Sequence, residues 1–405
     1  MSQMNLSSFE KEVLGAVNAE EVALFLQAII QQRSDNPPGD CRKAVEVVAE
    51  KLSEASVDFE ILFNQEHQPN LIASLGDVDS ERSQLMYHSH IDTVPPGELD
   101  RWSVDPFGGE INAGHIYGRG AGDDKGSVAA QVMALVALAR AKVPFRGCLR
   151  VVVVSDEEFG GTNGTIWLHQ EGKLQTDLLV VGEQTNNRVA IAERVACGID
   201  ITVIGKSAHG AMPWEGENAV LKAARAITYL HDHLFPRLEA RTHPYLPPPT
   251  LCVCKIEGGQ QWGVVPERCK VETDRRLIPG ETRELAMEEI RQILDNYSAN
   301  VEPLNYELFS TGEVAANIDT PPEDPFVVLA NHTLQDLARE QRPLSGYVQT
   351  SDGRWFAKDG IPIIIFGPSE PAVAHSTDEY VSVEQLYEAT QFLTLLALRQ
   401  LMKSS

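Results

Sequence analysis

Apolar positions recur at helical spacing over residues 20–32, where Val22, Leu24, Phe25, Ala28 and Ile29 share a face, and Ser34-Asp35-Asn36-Pro37-Pro38-Gly39 stops the pattern. A second amphipathic helix is predicted over 42–55. Four short apolar runs with strand character come next, at 71–75, 85–90, 149–154 and 178–181, and a fifth lies at 361–366. An Ala-, Val- and Leu-rich helix is expected over 125–141 and a covering helix over 383–402. Strands alternating with helices predict an α/β layered domain with a central mixed sheet. The middle of the chain has another rhythm: a strand at 198–205, a helix at 218–234, strands at 250–256 and 269–277, a charged helix at 282–297 and a strand at 301–308. That βαββαβ order predicts a small ferredoxin-like α+β domain. The expected organisation is therefore an α/β domain of residues 1–194 plus 309–405, interrupted by a smaller domain of residues 195–308.

Composition narrows this picture. The chain has 405 residues, 43% of them apolar and 23% charged, enough to bury a large core and to exclude disordered and fibrous classes. Its 34 basic and 58 acidic residues give a net charge of −24, which leaves no electrostatic footprint for nucleic acid or an anionic membrane. The six cysteines, with no C-x-x-C pair among them, predict reduced and partly buried thiols. The opening MSQMNLSSFEKEV has neither a basic nor an apolar leader segment, and the unbroken apolar runs fall short of the ~18 residues that span a bilayer. A soluble, cytoplasmic protein is expected.

The residues just beyond each apolar strand carry the chemistry. One strand leads into His88-Ser89-His90-Ile91-Asp92, another into Ser155-Asp156-Glu157-Glu158, a third into Gly182-Glu183, and the last, after Gly367-Pro368, toward His375. Open α/β sheets place ligand sites beyond the carboxyl ends of their strands. If these groups and Asp123-Asp124 converge, several carboxylates share one cleft, and divalent cations resolve the repulsion. Two His with three carboxylates is a ligand set suited to zinc, with cobalt or manganese as substitutes. His90 and Asp92, two apart on a strand, share a face, as a ligating imidazole and an orienting carboxylate do. Read as a phosphate loop, Gly118-Arg119-Gly120-Ala121-Gly122-Asp123-Asp124-Lys125-Gly126 fails: it has no Gly-Lys-Ser/Thr step, and two aspartates stand where phosphate would sit.

These segments, with Ser34–Gly39, His90-Ile91-Asp92-Thr93-Val94-Pro95, Gly205-Lys206-Ser207-Ala208-His209, Asp274-Arg275-Arg276, Ser351-Asp352-Gly353-Arg354 and Ala374-His375-Ser376-Thr377-Asp378-Glu379, closely resemble one family. It is the co-catalytic zinc amidohydrolases that include acetylornithine deacetylase, succinyl-diaminopimelate desuccinylase, aminoacylase-1 and carboxypeptidase G. The resemblance spans nearly the whole chain. It implies that Asp123 bridges two zinc ions, that His90 and Glu183 complete one and Glu158 and His375 the other, that Asp92 supports His90, and that Glu157 is the general base. It also implies a cis peptide at Asp123-Asp124, and a homodimer in which the inserted domain is the dimerisation domain and His209 reaches the partner's site to stabilise the oxyanion.

The implied activity is hydrolysis of the amide of an N-acylated amino acid by a metal-bridging hydroxide. A metallo-dipeptidase or carboxypeptidase on the same site, and a non-catalytic ligand-binding protein, are the alternatives. Arg276 and Arg194 match positions that touch a substrate carboxylate in relatives; a salt bridge is the competing reading for each. Ser351 and Gly353 are expected to offer backbone donors to substrate. Three departures bear on the substrate: Gly263 where relatives carry Asn, Val195 where they carry Gly, and Ser369 where they carry Gly. His88 is expected to be a buried structural residue.

Overall fold

A computed structural model of the chain describes residues 6–77, 83–312, 315–337 and 341–402. The first five residues, where the leader reading begins, lie outside the described ones. Contacts divide the chain into two compact units: Met1–Ala192, Ile318–Tyr347 and Ser351–Ser405 form the first, Glu193–Asn317 and Val348–Thr350 the second. The second unit thus runs further along the chain than the 195–308 read from sequence.

The first unit is built on an eight-stranded mixed sheet in the order Asp58–Gln65, Gln68–Gly76, Cys148–Val154, Gln84–His90, Leu178–Val181, Ile363–Ile365, Ala190–Glu193, Ser345–Tyr347. The four central strands are mutually parallel, so their carboxyl ends share one edge. They are almost fully buried, as apolar runs covered on both faces must be. Met86, Val152, Val154, Leu179, Val181, Ile363 and Ile365 join a core with Leu168 and Phe356 on one side. By strand alternation Tyr87 and Ser89 face the other side, where the Tyr87 hydroxyl donates to the Leu393 carbonyl of helix Val383–Leu401 (2.7 Å) and Ser89 to Gln131 of helix Lys125–Arg140 (2.9 Å). Helix Lys125–Arg140 is buried around nearly its whole circumference, which explains its almost uniform Ala/Val/Leu surface.

Several elements escape the hydrophobic pattern. Strand Asp58–Gln65 is a solvent-washed edge in which polar and apolar residues alternate only from Asp58 to Ile61 before Leu62 and Phe63 break the pattern, and it forms by antiparallel pairing with its neighbour. Helix Pro325–Leu337, whose buried Phe326, Val327, Ala330 and Leu334 recur at helical spacing, is a further element beyond those predicted. A small three-stranded sheet of Glu110–Asn112, His115–Tyr117 and Tyr380–Ser382 is built from strands of three residues each. Residues Ser8–Ile30 contain an 18-residue window with the mean hydropathy (1.6) of a membrane span, which a search for unbroken apolar runs passes over. The stretch forms two helices, Ser8–Leu14 and Ala19–Ile30, and half of the window is buried in the fold.

In the second unit, strands run antiparallel in the order Thr250–Gly258, Arg268–Leu277, Val195–Ile204, Asn305–Thr311, with helices Ala219–Glu239 and Arg283–Asn300 completing the βαββαβ sequence. Ile199, Ile201 and Val203 alternate onto the helix side and pack with Leu230, Leu234, Ile290 and Leu294. The first helix continues past the expected stop at 234 and through Pro236. A mid-helix proline costs about 3 kcal/mol, but Leu230, Leu234 and Leu238 form a buried stripe that only a continuous helix provides. The last strand starts at Asn305 rather than 301, because the preceding helix runs on to Asn300.

Candidate active site

Each central strand ends in a segment that turns a polar side chain toward the same edge. After Cys148–Val154 the chain reverses at Asp156, whose φ of 82° is unusual for a residue with a side chain. That conformation is held by its carboxylate, which accepts from Asn36 Nδ2 (3.1 Å), the Asn163 backbone N–H (2.9 Å) and Asn163 Nδ2 (3.2 Å). The next turn, Glu157–Phe159, is pinned by Asp92: its two oxygens accept the backbone N–H groups of Glu157 (3.1 Å) and Glu158 (3.3 Å), and Asn36 Nδ2 donates to it as well (3.1 Å). His375 sits in a left-handed conformation of its own, φ 61°.

At the centre stands Asp123. Its Oδ1 lies 3.1 Å from His90 Nε2 and its Oδ2 lies 3.1 Å from His375 Nε2, so one carboxylate faces two imidazoles, one on each oxygen. His375 Nε2 is also 3.2 Å from Glu158 Oε1, which accepts the Val94 backbone N–H (3.2 Å). Donor atoms of His90, Asp123 and Glu158 all lie within 4.8 Å of one another. The peptide Asp123-Asp124 is cis. Glu183 is buried and accepts from the Tyr347 hydroxyl (2.8 Å). Glu157 points elsewhere: its Oε1 accepts from Arg354 (3.1 Å).

The electrostatics describe a pocket short of positive charge. Burial pushes Glu157 up to about 8, against the pull of Arg354. Burial, then the Asp123 charge, holds Glu158 and Glu183 above the usual carboxylate range. Burial works the same way on Asp123, but hydrogen bonds from His375 and His90 outweigh it and hold that carboxyl low. The imidazoles answer in kind. Hydrogen bonds to Asp123 and Glu158 raise His375 to about 10, and those to Asp123 and Asp92 raise His90 despite burial. Protons are here doing what divalent cations do, and a set of imidazole nitrogens and carboxylate oxygens converging on one shared carboxylate fits a metal centre.

A model of Peptidase family M20/M25/M40 matches residues 86–399. The chain belongs to this family. Its sequence is 32% identical over 335 residues to a succinyl-diaminopimelate desuccinylase of Rhodospirillum centenum, covering 80% of this chain and 82% of the relative. Its fold is shared with the aminopeptidase PepT of Bacillus cereus (TM-score 0.76, 19% identity, 96% of this chain and 100% of that one). It is shared equally with the M20 family metallo-carboxypeptidase Sso-CP2 of Sulfolobus solfataricus (TM-score 0.76, 18% identity, 94% and 99%). As a member of this family the protein is a hydrolase of amide bonds.

The remaining residues singled out from sequence fall into place differently. Asp92 meets His90 mainly through its main chain: His90 Nδ1 is 3.0 Å from the Asp92 carbonyl and 3.5 Å from its carboxylate, which is committed to the Glu157–Glu158 turn. The Gly353 N–H donates to Ser351 Oγ (3.2 Å), and a Cβ on Gly353 would stand 2.5 Å from Ile318, so this segment is packed tight and that N–H is already engaged. Arg276, Arg194 and His209 belong to the second unit. Arg276 pairs with Asp274 (2.8 Å) and donates to Thr350 (3.1 Å); Arg194 donates to the carbonyls of Val348 (3.0 Å) and Pro248 (3.3 Å). His209 is exposed, and its Nδ1 accepts the Ala211 N–H (3.0 Å). His88 is buried, with Nε2 2.9 Å from Thr165 Oγ1, and burial lowers it to about 4.

Two of the departures from the family pattern are conformational. Gly263 has φ 83° and Ser369 φ 72°, both left-handed. Asn, the family's residue at the first position, is among the side chains best suited to that region, and Gly, its residue at the second, has no Cβ penalty there. Val195 opens a strand and is buried, where a β-branched residue packs well.

Two supports carry no role that the sequence assigns. Tyr347, which holds Glu183, lies on a three-residue edge strand far away in sequence and gives no local signal. Glu379 closes the motif Ala374–Glu379: its Oε1 accepts the N–H groups of Gly122 and Asp123 (2.9 Å each), and it pairs with Arg119, both side chains being buried. Glu379→Ala would leave Arg119 buried without its partner, a change that typically costs about 3–5 kcal/mol. A loss of unfolding free energy of that size, read as a lower urea midpoint, together with weakened metal binding, is the expected result in equilibrium unfolding and metal titration.

Proposed function

We propose that the protein is a deacylase of N-acylated amino acids whose site holds two divalent ions, zinc in the first instance, with cobalt or manganese able to replace it. The observation that carries this reading is Asp123, with one imidazole on each carboxylate oxygen. His90, Asp123 and Glu183 would hold one ion, and Asp123, Glu158 and His375 the other. When bound, such ions polarise a carbonyl and lower the pKa of water from 15.7 to about 7. Glu157 takes the proton of the attacking water and delivers it to the leaving amine, with Arg354 fixing its orientation. Asp92 keeps the Glu157–Glu158 turn in place. In the proposed homodimer, His209 of a second copy donates to the developing oxyanion, and Arg276, with Arg194, receives the substrate carboxylate. Ser351 is assigned a backbone donor to the substrate, beside Gly353, whose N–H bonds to Ser351 Oγ. The packing of the N-terminal helices against the core supports a soluble enzyme, for which a cytoplasmic location is proposed.

The curated sequence relatives favour N-acyl amino acids over peptides. A panel of N-succinyl, N-acetyl and N-formyl amino acids and dipeptides, assayed with added zinc or cobalt, tests this. Turnover of an N-acyl amino acid is expected; turnover of dipeptides alone would contradict it.

Metal affinity should depend on pH with a definite sign. In the ion-free protein both imidazoles are held protonated beyond neutral pH, and Glu158 and Glu183 are raised as well. A protonated donor cannot ligate, so binding releases protons. Apparent affinity is expected to rise between pH 6 and 8, by up to about tenfold per pH unit for each proton displaced. Competition with a chromophoric chelator measures it, and a flat profile would contradict it. Conversely, the His375 contribution to ion-free stability is fully present below its unfolded value of 6.5 and is lost as pH rises through about 10.

A further inference from the structure

Cys41, Cys148, Cys197 and Cys269 are buried, but Cys252 and Cys254 are exposed on Thr250–Gly258, the edge strand of the second unit. All six are free, as expected of reduced and partly buried thiols, and the exposure is confined to this pair. In a regular strand, residues i and i+2 are about 6.6 Å apart, near the upper limit for a disulfide. This strand is not regular there. Its register against Arg268–Leu277 slips between Val253 and Lys255, leaving Cys254 as the extra, unpaired residue of a bulge. A bulge kinks and shortens the strand. Accordingly the Cys254 thiol turns back along the chain, 3.7 Å from the Cys252 carbonyl oxygen.

We propose that Cys252-Val253-Cys254 is a redox-active dithiol that closes to an internal disulfide by exchange with a small disulfide such as oxidised glutathione. The Cys252 thiolate attacks one glutathione sulfur and expels one glutathione thiolate, giving a mixed disulfide. The Cys254 thiol then loses its proton and attacks the Cys252 sulfur, expelling the second glutathione. Two protein thiols are oxidised, one glutathione disulfide is reduced to two thiols, and the two protons pass to the departing thiolates. In the second step the entering Cys254 thiol is already tethered beside its target, which favours ring closure over a second mixed disulfide. A ring this small is strained, which makes the bond readily reducible and the step reversible.

The test uses the full-length protein equilibrated with mixtures of reduced and oxidised glutathione, alkylated, digested and mapped by mass spectrometry. The expected result is loss of two alkylatable thiols, both in the peptide carrying residues 252–254, with the four buried cysteines still protected and full reversal by dithiothreitol. Cys254→Ser should instead accumulate glutathione on Cys252. Stable glutathione adducts on both cysteines of the unaltered protein would overturn the proposal, as would disulfide-linked dimers on a non-reducing gel.

Discussion

Glu157→Ala is expected to lower kcat by about 10²–10⁴-fold while the protein keeps its full complement of divalent ions. The geometry separates the two effects. The Glu157 carboxylate bonds to Arg354, whereas the imidazoles gather around Asp123 and Glu158. The turn that carries Glu158 is fixed by Asp92 through backbone N–H groups, and these survive loss of the Glu157 side chain. KM should move little, because a base that acts in the transition state contributes little to ground-state binding. Steady-state kinetics with metal analysis of the same sample decides it. Undiminished turnover, or loss of metal in step with activity, would remove Glu157 from the role of base.

Asp123→Ala should be more damaging still, because it strikes both metal positions at once. Removing a supporting partner of a ligand typically weakens metal binding about 10–100-fold; removing the carboxylate that faces both imidazoles should exceed that for each ion. The expected outcome is a dialysed protein with far less bound metal and no measurable hydrolysis, but with its fold intact. The backbone N–H of Asp123 still donates to Glu379, and helix Lys125–Arg140 is anchored by its own buried surface. Elemental analysis alongside circular dichroism separates this from unfolding. A variant retaining metal at the original affinity would show that Asp123 bridges nothing.

How much of the fold and the site is legible in the sequence depends on where each signal lies. The four parallel strands are apparent because strands covered on both faces must be continuous apolar runs, and the polar residues at their ends then stand out. His90, Asp123, Glu158 and His375 come together as the motifs suggest, although their division between two ions rests on family resemblance rather than on spacing. Edge strand Asp58–Gln65 is hidden because its alternation lasts only from Asp58 to Ile61 before Leu62 and Phe63 break it. The helix through Pro236 is hidden because packing overrules a local rule. Tyr347 is hidden because its contact with Glu183 spans 164 residues, and no window of sequence joins the two. Asp92 falls in the expected neighbourhood but acts there in a partly different way, since its carboxylate organises the Glu157–Glu158 turn more than it grips His90.

The central claim is that five side chains drawn from most of the length of the chain grip a pair of divalent ions. Diffraction from crystals soaked in zinc, recorded on both sides of the zinc absorption edge, tests it most directly. Two anomalous peaks are expected, one between His90 and Asp123 on the Glu183 side, the other among Asp123, Glu158 and His375. Zinc found only elsewhere on the surface, with these five side chains still bonded to one another, would contradict it.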